Sequence, residues 1–213
     1  MKQVELLTAG GRELGVGLSQ ADADIFATYL EELEKWNKKI NLTAISGELD
    51  FVVKHILDSL AYLKGLDSTP GLKLLDMGSG AGFPALPIKI ARPEIDVTLV
   101  ESVGKKATFL RHIARTLKIN ATVIEARVES LPKQFHDAFD IVTARAFSDM
   151  KKAIAVGKPF LKNNGIIVLS RGPEEALNEQ DMAGLHIQLK QRIALTLPFS
   201  DYERAIWVFC RMS

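Results

Sequence analysis

From residue 72 onward, short apolar runs alternate with longer stretches whose apolar residues recur at helical spacing. The runs at 72–77, 96–101, 121–125, 139–144, 164–170, 191–198 and 204–211 predict strands, and the first of them, LKLLDM, is apolar enough for a strand buried on both faces. Helices are predicted over 82–91, 104–118, 148–161 and about 173–184. Strand and helix in alternation give a parallel sheet between two helical layers. The last two strands are separated only by PFSDYER, long enough for a hairpin and too short for a parallel crossover. One antiparallel strand is therefore expected at the end of an otherwise parallel seven-stranded sheet.

The first seventy residues follow another pattern. Ser19 can cap a helix with Asp22 as a weak box partner, and the run to Lys39 sets Ile25, Tyr29, Leu33 and Trp36 on one stripe. A turn through NLTAIS leads to a second helix at about 49–63, which LDSTPG ends. The expected organisation is a helical extension over 1–70, packed on the core, and an α/β domain over 71–213.

The chemistry concentrates where the first strand hands over to a helix. LLDMGSGAGFP carries Gly78, Gly80 and Gly82, which let the backbone turn sharply and let a ligand approach the main chain. That turn lies at the carboxyl end of a strand, the usual ligand position in an open α/β sheet, and Glu101 closes the next strand about twenty residues later, where a carboxylate can accept from ribose hydroxyls. A nicotinamide dinucleotide enzyme would share this outline. Its GxGxxG pattern is absent, Gly82 comes one place early, and Phe83-Pro84 follows, with Phe83 suited to cover one face of a pocket. S-adenosylmethionine is the better expectation.

Composition narrows the classes. With 213 residues the chain can bury one substantial core, and its net charge of +1 imposes no global attraction to nucleic acid. Basic residues do cluster, at Lys105, Lys106, Arg111, Arg115 and Lys118, and again at Lys151, Lys152, Lys158, Lys162 and Arg171, where phosphates could bind or water could simply solvate a helix face. A single cysteine, Cys210, fits a reducing cytoplasm and no disulfide framework. The amino terminus has no long apolar stretch, so neither a signal peptide nor a membrane span is expected. The histidines at 55, 112, 136 and 186 have no metal-ligand spacing, and no metal is expected.

Five blocks in order, WNKKINLTAI at 36–45, HILDSL at 55–60, LLDMGSGAGFPALPI at 74–88, ESVGKKATFLR at 101–111 and VTARAF at 142–147, resemble the bacterial 16S ribosomal RNA guanine-N7 methyltransferase family, historically called glucose-inhibited division protein B. The resemblance spans nearly the whole chain. It implies a Class I S-adenosylmethionine-dependent methyltransferase, Rossmann-like in fold, acting on a guanine in the decoding-region loop of 16S ribosomal RNA within the small ribosomal subunit or its assembly intermediate. A cytoplasmic monomer is expected. Carried over position by position, Gly78, Gly80, Gly82 and Phe83 match cofactor positions and Glu101 the ribose-binding carboxylate. Val128 and Glu129 match the adenine-side pair, and Arg145 the arginine of the RAF block beside cofactor and incoming base. Asn37, Asn41, His55 and Asp58 match the polar positions of the two amino-terminal blocks. Arg171 stands in LSRG where relatives commonly carry lysine, which keeps the charge and changes the hydrogen-bond geometry. Arg145, Asn41 and Arg171 are the candidates for catalysis.

Guanine N7 carries no proton at neutral pH, so the reaction needs alignment rather than a general base. Attack from pyrimidine C5 would need a thiol, and Cys210 lies in a terminal strand. Exocyclic adenine methylation usually shows Asn or Asp before two prolines after the fourth strand, where this chain has TARAF. The competing readings are a methyltransferase for a protein or small molecule and a noncatalytic RNA-binding assembly factor that keeps a nucleoside pocket.

Overall fold

The computed structural model describes residues 3–45, 47–145, 147, 149–175, 182 and 184–212. Seven strands, β1 (Lys73–Met77), β2 (Asp96–Glu101), β3 (Ala121–Glu125), β4 (Phe139–Ala144), β5 (Leu161–Arg171), β6 (Ile187–Thr196) and β7 (Glu203–Arg211), form one sheet in the order β3-β2-β1-β4-β5-β7-β6. β1 to β5 pair in parallel, and β7 runs antiparallel to both β5 and β6. The antiparallel strand is thus last in sequence and second from the edge in space. The strand order reverses between β1 and β4, which opens a crevice at their carboxyl ends.

Side chains alternate across the sheet. Leu74, Leu99, Ile141, Val168 and Ile206 face one core, and Leu75, Val100, Val142, Ile167 and Trp207 face the other. Helices α5 (Ala85–Ala91) and α6 (Gly104–Thr116) cover the first face, and α7 (Met150–Gly157) covers the second. The amino-terminal helices share the first core, where Leu7, Phe26, Leu33, Ile56 and Leu57 are buried with the sheet residues.

Helix α1 (Gln3–Glu13) was not expected from the pattern, because Gly10 and Gly11 sit in its buried face. A Cβ on Gly10 would lie 2.6 Å from Leu57 Cδ1, so the glycine is there for close packing. Helix α2 (Gln20–Ile40) starts with a complete capping box, Ser19 N–H donating to Asp22 Oδ2 (2.8 Å) and Asp22 N–H to Ser19 Oγ (3.2 Å). Aspartate serves where glutamate is usual. Its buried stripe is Phe26, Tyr29, Leu30 and Leu33, a shift from the expected one, with Ile25 and Trp36 partly buried at its flanks. Trp36 packs on Phe109 (5.6 Å between ring centres) and His112 (5.1 Å), which pins α2 to α6.

The single helix expected at 49–63 is compound: α3 (Glu48–Phe51), a π-helical turn (Val52–Leu57), α4 (Asp58–Ala61) and a 3₁₀ turn (Tyr62–Gly65). Such π turns are frequent at functional sites, and this one buries His55, with Asp58 buried at the start of α4. Helix α7 ends at Gly157 instead of continuing to 161, giving way to a 3₁₀ turn (Lys158–Phe160), and β5 and β6 each begin three to four residues earlier than the apolar runs suggested. Most of the helix expected near 173–184 falls outside the described residues. Among the described residues no helix is long and apolar enough to cross a membrane, and no group of side chains could hold a metal ion.

Candidate active site

The turn after β1 passes through three left-handed glycines, Gly78 (φ 72°), Gly80 (φ 57°) and Gly82 (φ 97°). They serve two purposes. A Cβ on Gly78 would meet nothing within 4 Å and one on Gly80 only the Gly78 carbonyl at 3.9 Å, so this stretch of backbone is bare on its open side. A Cβ on Gly82 would run into the Tyr29 hydroxyl and Leu86, so Gly82 is a packing glycine that lets α2 close on the turn. The Tyr29 hydroxyl donates to the Ala81 carbonyl, and burial pushes that phenol well above its ordinary pKa, so the donor keeps its proton.

Gly78 N–H and Ser79 N–H both donate to the Val100 carbonyl (2.9 and 3.1 Å), tying the turn to β2. Glu101, the next residue, completes the link. One carboxylate oxygen accepts from Gly80 N–H (2.8 Å) and the other from Val103 N–H (2.8 Å), in a site where the side chain is almost wholly buried. Each oxygen keeps a second acceptor position. The Glu101 carbonyl accepts from Ala126 N–H (3.1 Å), which brings the 3₁₀ turn Val128–Ser130 alongside, with Val128 buried and Glu129 exposed.

Phe83 does not spread its ring over an open pocket. The ring is sandwiched between Tyr29 (5.3 Å, 14°) and His55 (4.4 Å, 4°), with Phe51 edge-on, and it is 5 % exposed. Sequence reading could not see this because both partners come from the amino-terminal helices. Phe83 fixes the back of the glycine turn, and only its backbone is left to face a ligand.

His55 links this stack to the rim. Arg145, directly after β4, donates from Nη1 to His55 Nδ1 (3.2 Å) and from Nη2 to the Lys54 carbonyl (2.5 Å), and its Nη2 lies 3.3 Å from Asp58 Oδ2. A guanidinium can only donate, so His55 Nδ1 accepts and Nε2 carries the proton, which it gives to Thr43 Oγ1 (2.8 Å). Burial first, and then the Arg145 charge, push the imidazole down to about 3, so it is neutral near pH 7. Thr43 is in turn held by Asn37, whose amide both donates to the Thr43 carbonyl and accepts from its N–H (2.9 Å each). Asp58 Oδ1 accepts from Arg204 Nε (3.1 Å) and Ser170 Oγ (3.3 Å). Asn37, His55, Asp58 and Arg145 therefore form one connected network joining α2, the π turn, β4, β5 and β7. Thr43, Ser170 and Arg204 are members that sequence reading missed. Threonine and serine gave no signal, and Arg204 lay in a hairpin turn.

The remaining candidates separate. Asn41 stands apart from the network, exposed at the carboxyl end of α2 in the left-handed conformation (φ 50°, ψ 64°), where asparagine is selected for helix termination. Arg171 ends β5 with its side chain 9 % exposed; Nη1 donates to the Phe147 carbonyl (2.6 Å) and Nε is ion-paired with Glu175 Oε2 (3.6 Å), while Nη2 is buried without a hydrogen bond. Unfilled guanidinium donors in a dry site are costly unless an acceptor arrives. At the end of β1, Asp76 Oδ1 accepts from Thr143 Oγ1 (3.2 Å), Oδ2 makes no hydrogen bond, and burial raises its pKa to about 7.

Residues 22–207 match the family model GidB, described as rRNA small subunit methyltransferase G. Similar chains include the ribosomal RNA small subunit methyltransferase G of Geobacter sp. (strain M21), 39% identical over 97% of both chains, and that of Geobacter metallireducens, 40% identical over 97% of this chain and 96% of the relative. Among solved structures, the fold is similar to TYW2 of P. horikoshii in complex with MeSAdo (TM-score 0.57, 14% identity, 73% of this chain and 61% of that one). It is also similar to a SAM-dependent methyltransferase from Aquifex aeolicus (TM-score 0.54, 14% identity, 72% and 90%).

Proposed function

We propose, on the premise that the chain belongs to the rRNA small subunit methyltransferase G family, that it transfers the methyl group of S-adenosylmethionine to N7 of one guanine in the decoding-region loop of small-subunit ribosomal RNA. The observation that carries the reading is the bond between Glu101 and Gly80 beside the bare backbone of Gly78. It sets a carboxylate with spare acceptor positions next to a main chain that a nucleoside can approach. Gly78, Gly80 and Glu101 would hold the ribose and the chain attached to it. Val128 would lie against the adenine, with Glu129 at its edge, while Gly82 and Phe83 hold the turn in shape from behind. When bound, S-adenosylmethionine supplies a methyl group on a positively charged sulfur.

The chain's own residues then have no proton to remove, since N7 offers a free lone pair. Their work is orientation and exclusion of water. Arg171, whose buried Nη2 makes no hydrogen bond, would take an acceptor on the guanine or a phosphate beside it. Arg145 would hold the end of β4 at the rim of the crevice through its anchorage to His55 and Asp58, and Asn41 would contact RNA from the surface. The enzyme works as a cytoplasmic monomer on the small ribosomal subunit or its assembly intermediate, with no membrane partner. Incubating tritiated S-adenosylmethionine with small subunits from an undermethylated strain, followed by mass mapping, should give one 7-methylguanine in the decoding-region loop. Label confined to protein, or to another atom or loop, would overturn the proposal.

A further inference from the structure

Three of the six exposed large apolar side chains among the described residues, Leu49 (51 % exposed), Phe199 (37 %) and Tyr202 (42 %), line one cleft of about 420 Å³ between α3 and the β6–β7 turn. Single exposed apolar residues need no explanation, but a cluster marks a contact surface. The turn is built to present them. Ser200 Oγ donates to the Leu197 carbonyl (3.0 Å) and accepts from Tyr202 N–H (3.3 Å), and Leu197 N–H donates to the Tyr202 carbonyl (2.8 Å). Phe199 is held at φ 61°, a conformation that bulky residues rarely adopt. On the opposite wall the Lys54 ammonium lies 4.6 Å from the Tyr202 ring centre, and the Lys54 carbonyl is the acceptor for Arg145. The cleft therefore stands one residue away from the network at the rim of the crevice.

Its charge selects the occupant. Lys54, beside the cleft against the Tyr202 ring, is paired with Asp50 (2.8 Å), whose carboxylate raises its pKa. Asp201 lines the cleft as well, with no hydrogen bond or ion pair among the described residues, and the exposed Glu203 follows it. A phosphate backbone would be repelled here, whereas a lysine or arginine beside an apolar anchor would be attracted. We propose that this cleft docks a basic protein segment carrying an apolar anchor, on a protein component of the ribonucleoprotein substrate, and so holds the enzyme beside its RNA target. The inference rests on the reading above that the substrate is a small-subunit particle.

The test uses the full-length enzyme on small-subunit particles. Leu49→Lys should raise KM for the particle about tenfold, with kcat within about twofold and the calorimetric affinity for S-adenosylhomocysteine unchanged, and Tyr202→Ala should do likewise. A photoreactive benzoylphenylalanine in place of Leu49 should give an adduct destroyed by protease and resistant to ribonuclease. An adduct with ribosomal RNA, a lower KM in Leu49→Lys, or unchanged KM in both variants would each overturn the docking surface. Failure of the unaltered enzyme to methylate the particle would instead overturn the substrate reading beneath it.

Discussion

Glu101 reaches Gly80 across 21 positions of sequence, whereas Arg145 reaches His55 across 90 and Arg204 reaches Asp58 across 146. The floor of the crevice is made by neighbours: a strand, a glycine turn and the next strand, held by backbone groups and one carboxylate. The rim is made by side chains from distant elements, assembled only when the helical layer packs on the sheet. A floor of that kind tolerates change elsewhere in the chain, while the rim depends on every element that feeds it. Cofactor affinity and turnover should accordingly fail separately.

The largest effect is expected from Gly78→Asp, which puts a charged side chain into the bare approach and an L-residue at φ 72°. Affinity for S-adenosylhomocysteine should fall by more than about a hundredfold with the circular dichroism spectrum retained; tight binding in calorimetry would mean the nucleoside is held elsewhere. Arg145→Ala breaks the rim and should cut kcat about a hundredfold while the cofactor dissociation constant moves less than about threefold. Near-normal turnover would remove Arg145 from the machinery. The third effect separates the two regions by pH. His55, on the rim, has its pKa lowered to about 3 from 6.5, so it adds stability that is full above about 6.5 and is lost as pH falls. Asp76, on the floor, has its pKa raised to about 7 from 3.8. A carboxyl raised in the folded state adds stability that is full below the unfolded pKa and is lost as pH rises through about 7. The cofactor-free enzyme should lose about 2–3 kcal/mol of stability from this group between pH 5 and 8, and Asp76→Asn should flatten that slope. Equal slopes in denaturant titrations of the two proteins would show that Asp76 ionises freely.

The same contrast explains what could be read from the chain. The glycine turn, Glu101 and the alternation of strands and helices up to β5 follow from local patterns, because strand periodicity, the glycine spacing and the distance to the next strand are all carried by contiguous residues. The sandwich of Phe83 between Tyr29 and His55 could not be read that way, since nothing near residue 83 specifies what will cover its ring. Helix α1 was hidden by Gly10 and Gly11, which give clearance to Leu57 and to Val16 and Leu18 respectively, a purpose visible only after packing. Asn41 was taken for chemistry and sits at a helix terminus, where the backbone alone accounts for asparagine. Asn37, by contrast, holds the turn that positions Thr43 and through it His55.

β7 comes last among the strands in chain order and yet lies between β5 and β6. β6 therefore has no place to dock when it leaves the ribosome, and β5 keeps an open edge, until the residues after 203 slide between them. Because Arg204, the second residue of that strand, grips Asp58, a nascent polypeptide carries the crevice floor well before it possesses an intact rim. Competence to act on RNA is thus deferred until synthesis has passed the final strand.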